Sequence, residues 1–231
     1  MQDPHFSIYS SMVQFFQKKE PIQKFKSGSV LFQEKDPAQY VYLLLKGSIA
    51  LGRVHLRGKE FILKILNDRE LIVEYQLFKA NPRYQFYSKT LSDCELLVIK
   101  REQFEDFILT DPEAMNAFVS WLSTGYLKAQ MKCQDLIMNG KKGGLYSILI
   151  RLCNTYGMKT EDGILIDLPL THQELANLTY GTREVIQRSL KELREKDIIL
   201  YENQMFTVKN LNYLKEEVDC QNCSFEICGI N

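Results

Sequence analysis

Apolar residues along this chain change their period twice. From about Phe25 to Lys100 they gather in short runs rich in β-branched and aromatic residues: SVLFQEKD, YVYLLLKGSIALGRV, EFILKIL, YQFYSKT and CELLVIK. Gly28, Gly47, Gly58, Asn67-Asp68 and Asn81-Pro82 stand between the runs as turn formers. Several short strands so spaced predict an antiparallel β-barrel of jelly-roll type over residues 1–110. A ligand pocket inside it is not implied by the pattern.

After Asp111-Pro112 the period lengthens. The proline-free stretch EAMNAFVSWLSTGYLKAQMKCQDLIMNG reads as a single helix over 111–140, closed by Asn139-Gly140. Met115, Leu122, Ala129 and Leu136 recur every seven residues, and Val119, Tyr126 and Cys133 repeat four positions later. At 1.5 Å per residue the stripe runs along roughly 40 Å of helix and predicts a homodimer seam. A helix packed only within its own subunit is the plainer alternative.

Residues 141–215 mix helices with short strands. GGLYSILIRLCNTYG reads as a helix ending at Gly157, and EDGILIDL as a hairpin about Asp162-Gly163. Thr171 with Glu174, preceded by Leu170, is a capping box that opens a short helix. The stretch LTYG then turns the chain, and Thr182 can cap a second helix with Ile186, Leu190 and Leu193 on one face. Arg183, Glu184, Gln187, Arg188 and Lys191 lie on the other face. The stretch IILYENQMFTV closes the segment as a hairpin turning at Asn203-Gln204. Two helices about a tight turn, followed by a hairpin, form a winged helix-turn-helix. The whole is thus an α+β chain: barrel, long dimerisation helix, winged helix-turn-helix, then a cysteine-bearing tail over 216–231.

Arginine's planar fork matches guanine O6 and N7, and glutamate accepts from cytosine N4. Arg183, Glu184, Gln187 and Arg188, with Thr171 and Thr182, form the candidate DNA-contacting set. A solvated face with a Glu184–Arg188 pair is the alternative for an isolated helix; the turn before it and the hairpin after it favour DNA. Net charge is zero, with 29 basic and 29 acidic residues, so charge alone indicates no partner. Residues 182–196 carry five basic and three acidic groups, so any basic surface is local.

Composition is 45% hydrophobic and 25% charged, ordinary for a globular protein. No apolar run reaches the roughly 20 residues of a membrane span. The start Met1-Gln2-Asp3-Pro4-His5 lacks the basic and apolar regions of a signal peptide, which predicts a reducing, cytoplasmic location and free or metal-bound thiols. Three of the six cysteines fall in nine positions, Cys220, Cys223 and Cys228, spaced C-x2-C-x4-C. Cys94 and Cys153 sit in apolar runs and read as core thiols. The histidines His5, His55 and His172 have neither triad nor metal spacing, and no phosphate-cradling Gly loop occurs, so no enzyme is expected.

Barrel, long helix and winged helix-turn-helix in this order resemble the Crp/Fnr family of bacterial transcription regulators. The recognition helix carries the family's R-E-x-x-x-R as Arg183-Glu184-Val185-Ile186-Gln187-Arg188. The resemblance implies a dimer that binds TGTGA-N6-TCACA-type palindromes and works with RNA polymerase. The barrel departs from the cyclic-nucleotide pattern: Val73 stands at the Gly position before Glu74-Tyr75, and Tyr84-Gln85 replace the small residues after Arg83. Bulky side chains there crowd an anion site. The tail CQNCSFEIC and the stretch QDLIMNGKKGGLYS resemble the Bacillus-type Fnr branch. That resemblance implies a [4Fe-4S] cluster held by Cys220, Cys223, Cys228 and Asp135, one ligand per iron. It further implies an oxygen-responsive switch in which cluster loss frees the tail. Structural zinc, a disulfide-forming tail, Cys133 as fourth ligand, and a small-molecule-gated regulator are the alternatives.

Overall fold

The computed structural model describes residues 4–17, 20–55 and 58–230, with side chains from residue 8 onward. Met1-Gln2-Asp3 and the His5 side chain therefore lie outside the described residues. The chain divides into two compact units, Met1–Thr124 and Gly125–Asn231, the division falling inside the long helix.

The first unit runs α1 (Pro4–Phe16), β1 (Ile22–Phe25), β2 (Val30–Phe32), β3 (Tyr40–Lys46), β4 (Ile49–Val54), β5 (Glu60–Leu66), β6 (Glu70–Ile72), β7 (Tyr87–Thr90), β8 (Cys94–Lys100), α2 (Arg101–Thr110) and the start of α3 (Pro112–Met138). Its strands form two antiparallel sheets, ordered β1-β8-β3-β6 and β2-β7-β4-β5, as the strand pattern predicts for a jelly roll. The run YVYLLLKGSIALGRV supplies β3 to one sheet and β4 to the other, breaking at Gly47. There φ is +109°, and a Cβ would lie 2.6 Å from the Asp93 carbonyl, so glycine is required. Leu43, Leu44, Ile49, Leu51 and Leu97 fill the core. Ile8, Met12 and Phe16, four apart on α1, pack onto it, as do Phe104 and Ile108 of α2. Neither α1 nor α2 is among the elements read from the sequence.

The second unit contains the rest of α3, then α4 (Gly140–Tyr156), β9 (Gly157–Thr160), β10 (Gly163–Ile166), α5 (His172–Leu178), α6 (Arg183–Glu195), β11 (Ile199–Glu202), β12 (Met205–Val208) and α7 (Leu211–Glu217). The strands pair antiparallel in the order β11-β12-β10-β9. The wing hairpin turns at the predicted Asn203-Gln204; the first turns at Glu161-Asp162, one residue before the predicted Asp162-Gly163, with Gly163 opening β10. The two wing residues carry φ of +51° and +65°, in the left-handed region that Asn tolerates well. α7, a helix of seven residues capped by Asn210, has no counterpart in the sequence pattern.

Candidate functional site

The helix-turn-helix is built by two caps and one apolar face. The Thr171 hydroxyl accepts from the Glu174 amide at 3.1 Å while the Glu174 carboxylate accepts from the Thr171 amide at 2.7 Å, closing the capping box of α5. Tyr180 takes φ +53° in the turn. Thr182 then caps α6 by accepting from the Val185 amide. Ile186, Leu190 and Leu193 are buried against the rest of the unit, so Arg183, Glu184, Gln187 and Arg188 are exposed together on the opposite side. The Glu184 carboxyl is held below its usual range by its own backbone N–H at the helix start, then by the Thr182 hydroxyl. Thr182 is exposed and Thr171 half-buried, each at the head of its helix. The structure thus brings all six candidate residues onto the two helix starts and the outer face of α6.

The tail forms a second feature. Asp135, Cys220, Cys223 and Cys228 of one chain line a single cavity of about 230 Å³, between the end of α3, α4 and the tail. Arg151 of α4, 2% exposed, also lines it. Its Nε and Nη2 donate to the Asp135 Oδ2 at 3.1 and 2.6 Å, and its Nη1 donates to the carbonyls of Ile227 and Gly229, both at 3.2 Å. Asn154 donates to the Cys228 carbonyl at 2.9 Å. Burial pushes the Cys228 thiol up, partly opposed by the Arg151 charge. Cys133 is exposed and is not among the cavity's lining residues. Cys94 and Cys153 are buried, in keeping with their apolar settings; burial alone pushes Cys153 up to about 12.

Among the described residues no group of three or more His, Cys, Asp and Glu is placed to hold a metal ion as the side chains stand. The three thiols and Asp135 line one cavity, and a cluster takes one protein ligand per iron. Three soft thiols and one hard carboxylate fit iron–sulfur ligation in kind as well. Both Arg151 bonds to Asp135 land on Oδ2, leaving Oδ1 outside the pair.

In the barrel, residues of the cyclic-nucleotide pattern, both kept (Glu74, Arg83) and replaced (Tyr84), have structural partners. The buried Glu74 pairs with Lys64 at 2.8 Å. Arg83 donates to the Lys35 carbonyl at 2.6 Å. Tyr84 stacks on Phe32 with ring centroids 3.9 Å apart, and its hydroxyl donates to the Tyr40 carbonyl at 2.7 Å. Tyr84 is thus committed to core packing, while Arg83 and Gln85 beside it are exposed.

Along α3 the centre of the predicted stripe lies open: Val119 is 55% and Tyr126 64% exposed, and Leu122, Ala129 and Cys133 are exposed too. Met115 and Leu136, at its two ends, are half-buried. No described helix is long and apolar enough to cross a membrane.

A capped helix-turn-helix with exposed Arg, Glu and Gln arms, followed by a wing and joined to a jelly roll, defines a DNA-binding transcription regulator, not an enzyme. Residues 22–111 match the cyclic nucleotide-binding domain and residues 145–217 the Crp-like helix-turn-helix domain. The chain is 36% identical over 225 residues to the anaerobic regulatory protein of Bacillus subtilis, covering 97% of this chain and 94% of that one. It is 31% identical to the global nitrogen regulator of Synechococcus elongatus, covering 82% and 86%. The solved global regulator CLP of Xanthomonas campestris, titled as responsive to c-di-GMP, matches with TM-score 0.74 at 21% identity, over 87% of this chain and 99% of that one. A CRP-family regulator of Thermus thermophilus matches with TM-score 0.72 at 17% identity, over 85% and 96%. This chain belongs to the Crp/Fnr family of transcription regulators, whose members bind DNA as dimers.

Proposed function

We propose that the protein is an oxygen-responsive regulator, an activator of anaerobic respiration or fermentation genes, gated by a [4Fe-4S] cluster on Cys220, Cys223, Cys228 and Asp135. The observation that carries this reading is the gathering of those four side chains round one cavity within a single chain. A relative at 36% identity named for anaerobic regulation supports it. When bound, the cluster would supply an oxygen-labile tie among the four donors. Asp135 sits one turn from the end of α3, so the tie bears on the helix that carries the exposed stripe. A second copy would cover that stripe. The paired α6 helices would then read two TGTGA-type half-sites about one DNA turn, roughly 34 Å, apart. Arg183 and Arg188 would reach guanine edges, Glu184 a cytosine amine, and Gln187 the base between. Bound there, the dimer would contact RNA polymerase.

Anaerobic reconstitution of the full chain tests the reading. Expected are about four irons per chain, absorption near 400 nm that air abolishes, and iron-dependent binding to TGTGA palindromes. A Cys223→Ser protein that bound this DNA as tightly as wild type would defeat it.

A further inference from the structure

The tail is seated on α4 by groups other than its thiols. Three consecutive carbonyls, those of Ile227, Cys228 and Gly229, accept from Arg151, Asn154 and again Arg151 at 3.2, 2.9 and 3.2 Å. The next amide, of Ile230, donates to the Thr155 hydroxyl at 3.1 Å. Arg151, Asn154 and Thr155 are three and four residues apart, and hence on one face of α4. The Ile230 side chain is buried. Segments with free backbone groups fray; three successive peptide groups, bonded four times to one helix, do not. The same guanidinium turns its other edge to Asp135. Arginine's planar fork donates along two directions at once, which a lysine ammonium does not reproduce.

We propose that Arg151 is the positioning residue of this site. It seats the tail and the Asp135 carboxylate together in the iron-free chain, so the donors stand gathered before any metal arrives. The proposal rests on the cluster reading for its purpose but not for its geometry. It differs from the expectation of a tail freed by cluster loss in having the tail stay docked, and the iron-free chain tells the two apart. Bonds to the carbonyls on either side of Cys228 fix that residue's backbone, and with it the root of its thiol. Cys220 and Cys223 precede this seated stretch, so their chain is held less directly.

The test uses the full-length chain stripped of iron, so it can fail while the cluster reading survives, and the reverse. Amide exchange is followed at Ile227 and Cys228, which both donate to the Ser224 carbonyl, and at Ile230. Protection on the order of tenfold or more over an unstructured peptide is expected; free-peptide rates in the wild-type chain would overturn the proposal without any variant. In Arg151→Lys, iodoacetamide should alkylate Cys228 faster, on the order of tenfold, relative to the exposed Cys133 of the same molecule. That internal ratio is insensitive to sample-wide changes in reactivity, and exchange in α5 and α6 checks that the unit stays folded. A ratio unchanged in Arg151→Lys would equally overturn the proposal.

Discussion

Arg151 is the one charged residue in the buried run 143–153 of α4, and its partner Asp135 was legible only through the resemblance of the stretch QDLIMNGKKGGLYS. Cysteine spacing singled out three candidate donors because C-x2-C-x4-C is a local pattern. What orders them was hidden. The bonds from α4 to the tail join residues 74 to 78 positions apart, which no short-range period encodes. A lone arginine inside LYSILIRLC was the available signal, since a buried guanidinium needs partners. His172 gives a prediction at the same scale. It packs against Tyr201 with centroids 4.6 Å apart and rings tilted by 34°, and burial, then the Arg183 and Arg194 charges, hold its pKa below the ordinary 6.5. The unfolded chain therefore takes up this proton first as pH falls, so stability is lost on acidification through the unfolded value and levels off below the folded one. Urea titrations between about pH 7.5 and 5.5 should show that decline, with a shallower slope in His172→Gln. An identical slope in the variant would exclude this histidine as the source.

The helices α3, α4, α5 and α6 were legible, and α1, α2 and α7 were not. α3 announced itself over 27 residues, and α5 and α6 through Thr171 and Thr182. α2 follows β8 directly, and its cap position, Lys100, makes no side-chain capping bond, so nothing local marks where strand becomes helix. α7 is too short for periodicity to register. The capping box of α5 acts beyond its own helix, because α5 fixes the turn that presents α6. Thr171→Ala should destabilise the second unit by about 1 kcal/mol, measured by chemical denaturation. DNA affinity should fall with it, whereas Arg188→Ala should relax base preference at about 1–3 kcal/mol with stability unchanged, read by binding to altered half-sites.

At the scale of the whole molecule the exposed stripe on α3 is the decisive surface. Its residues were found by their seven-residue spacing, and their exposure in one chain is what a dimer seam leaves uncovered. Leu122→Asp would place a carboxylate in the middle of that stripe. Light scattering should then report a monomer, and binding to a full palindrome should weaken toward that of one half-site, with a shallower salt dependence. A dimer that survived this change would move the seam elsewhere.

Phe225, 78% exposed, stands at the tip of the turn between Cys223 and Cys228. A chymotrypsin-like protease has its preferred side chain offered there, just ahead of the stretch that α4 grips by its backbone. A cut after Phe225 would sever the covalent path between the outer thiols while the short peptide carrying Cys228 stayed lodged. The product would be a two-piece protein that looks intact until it is denatured.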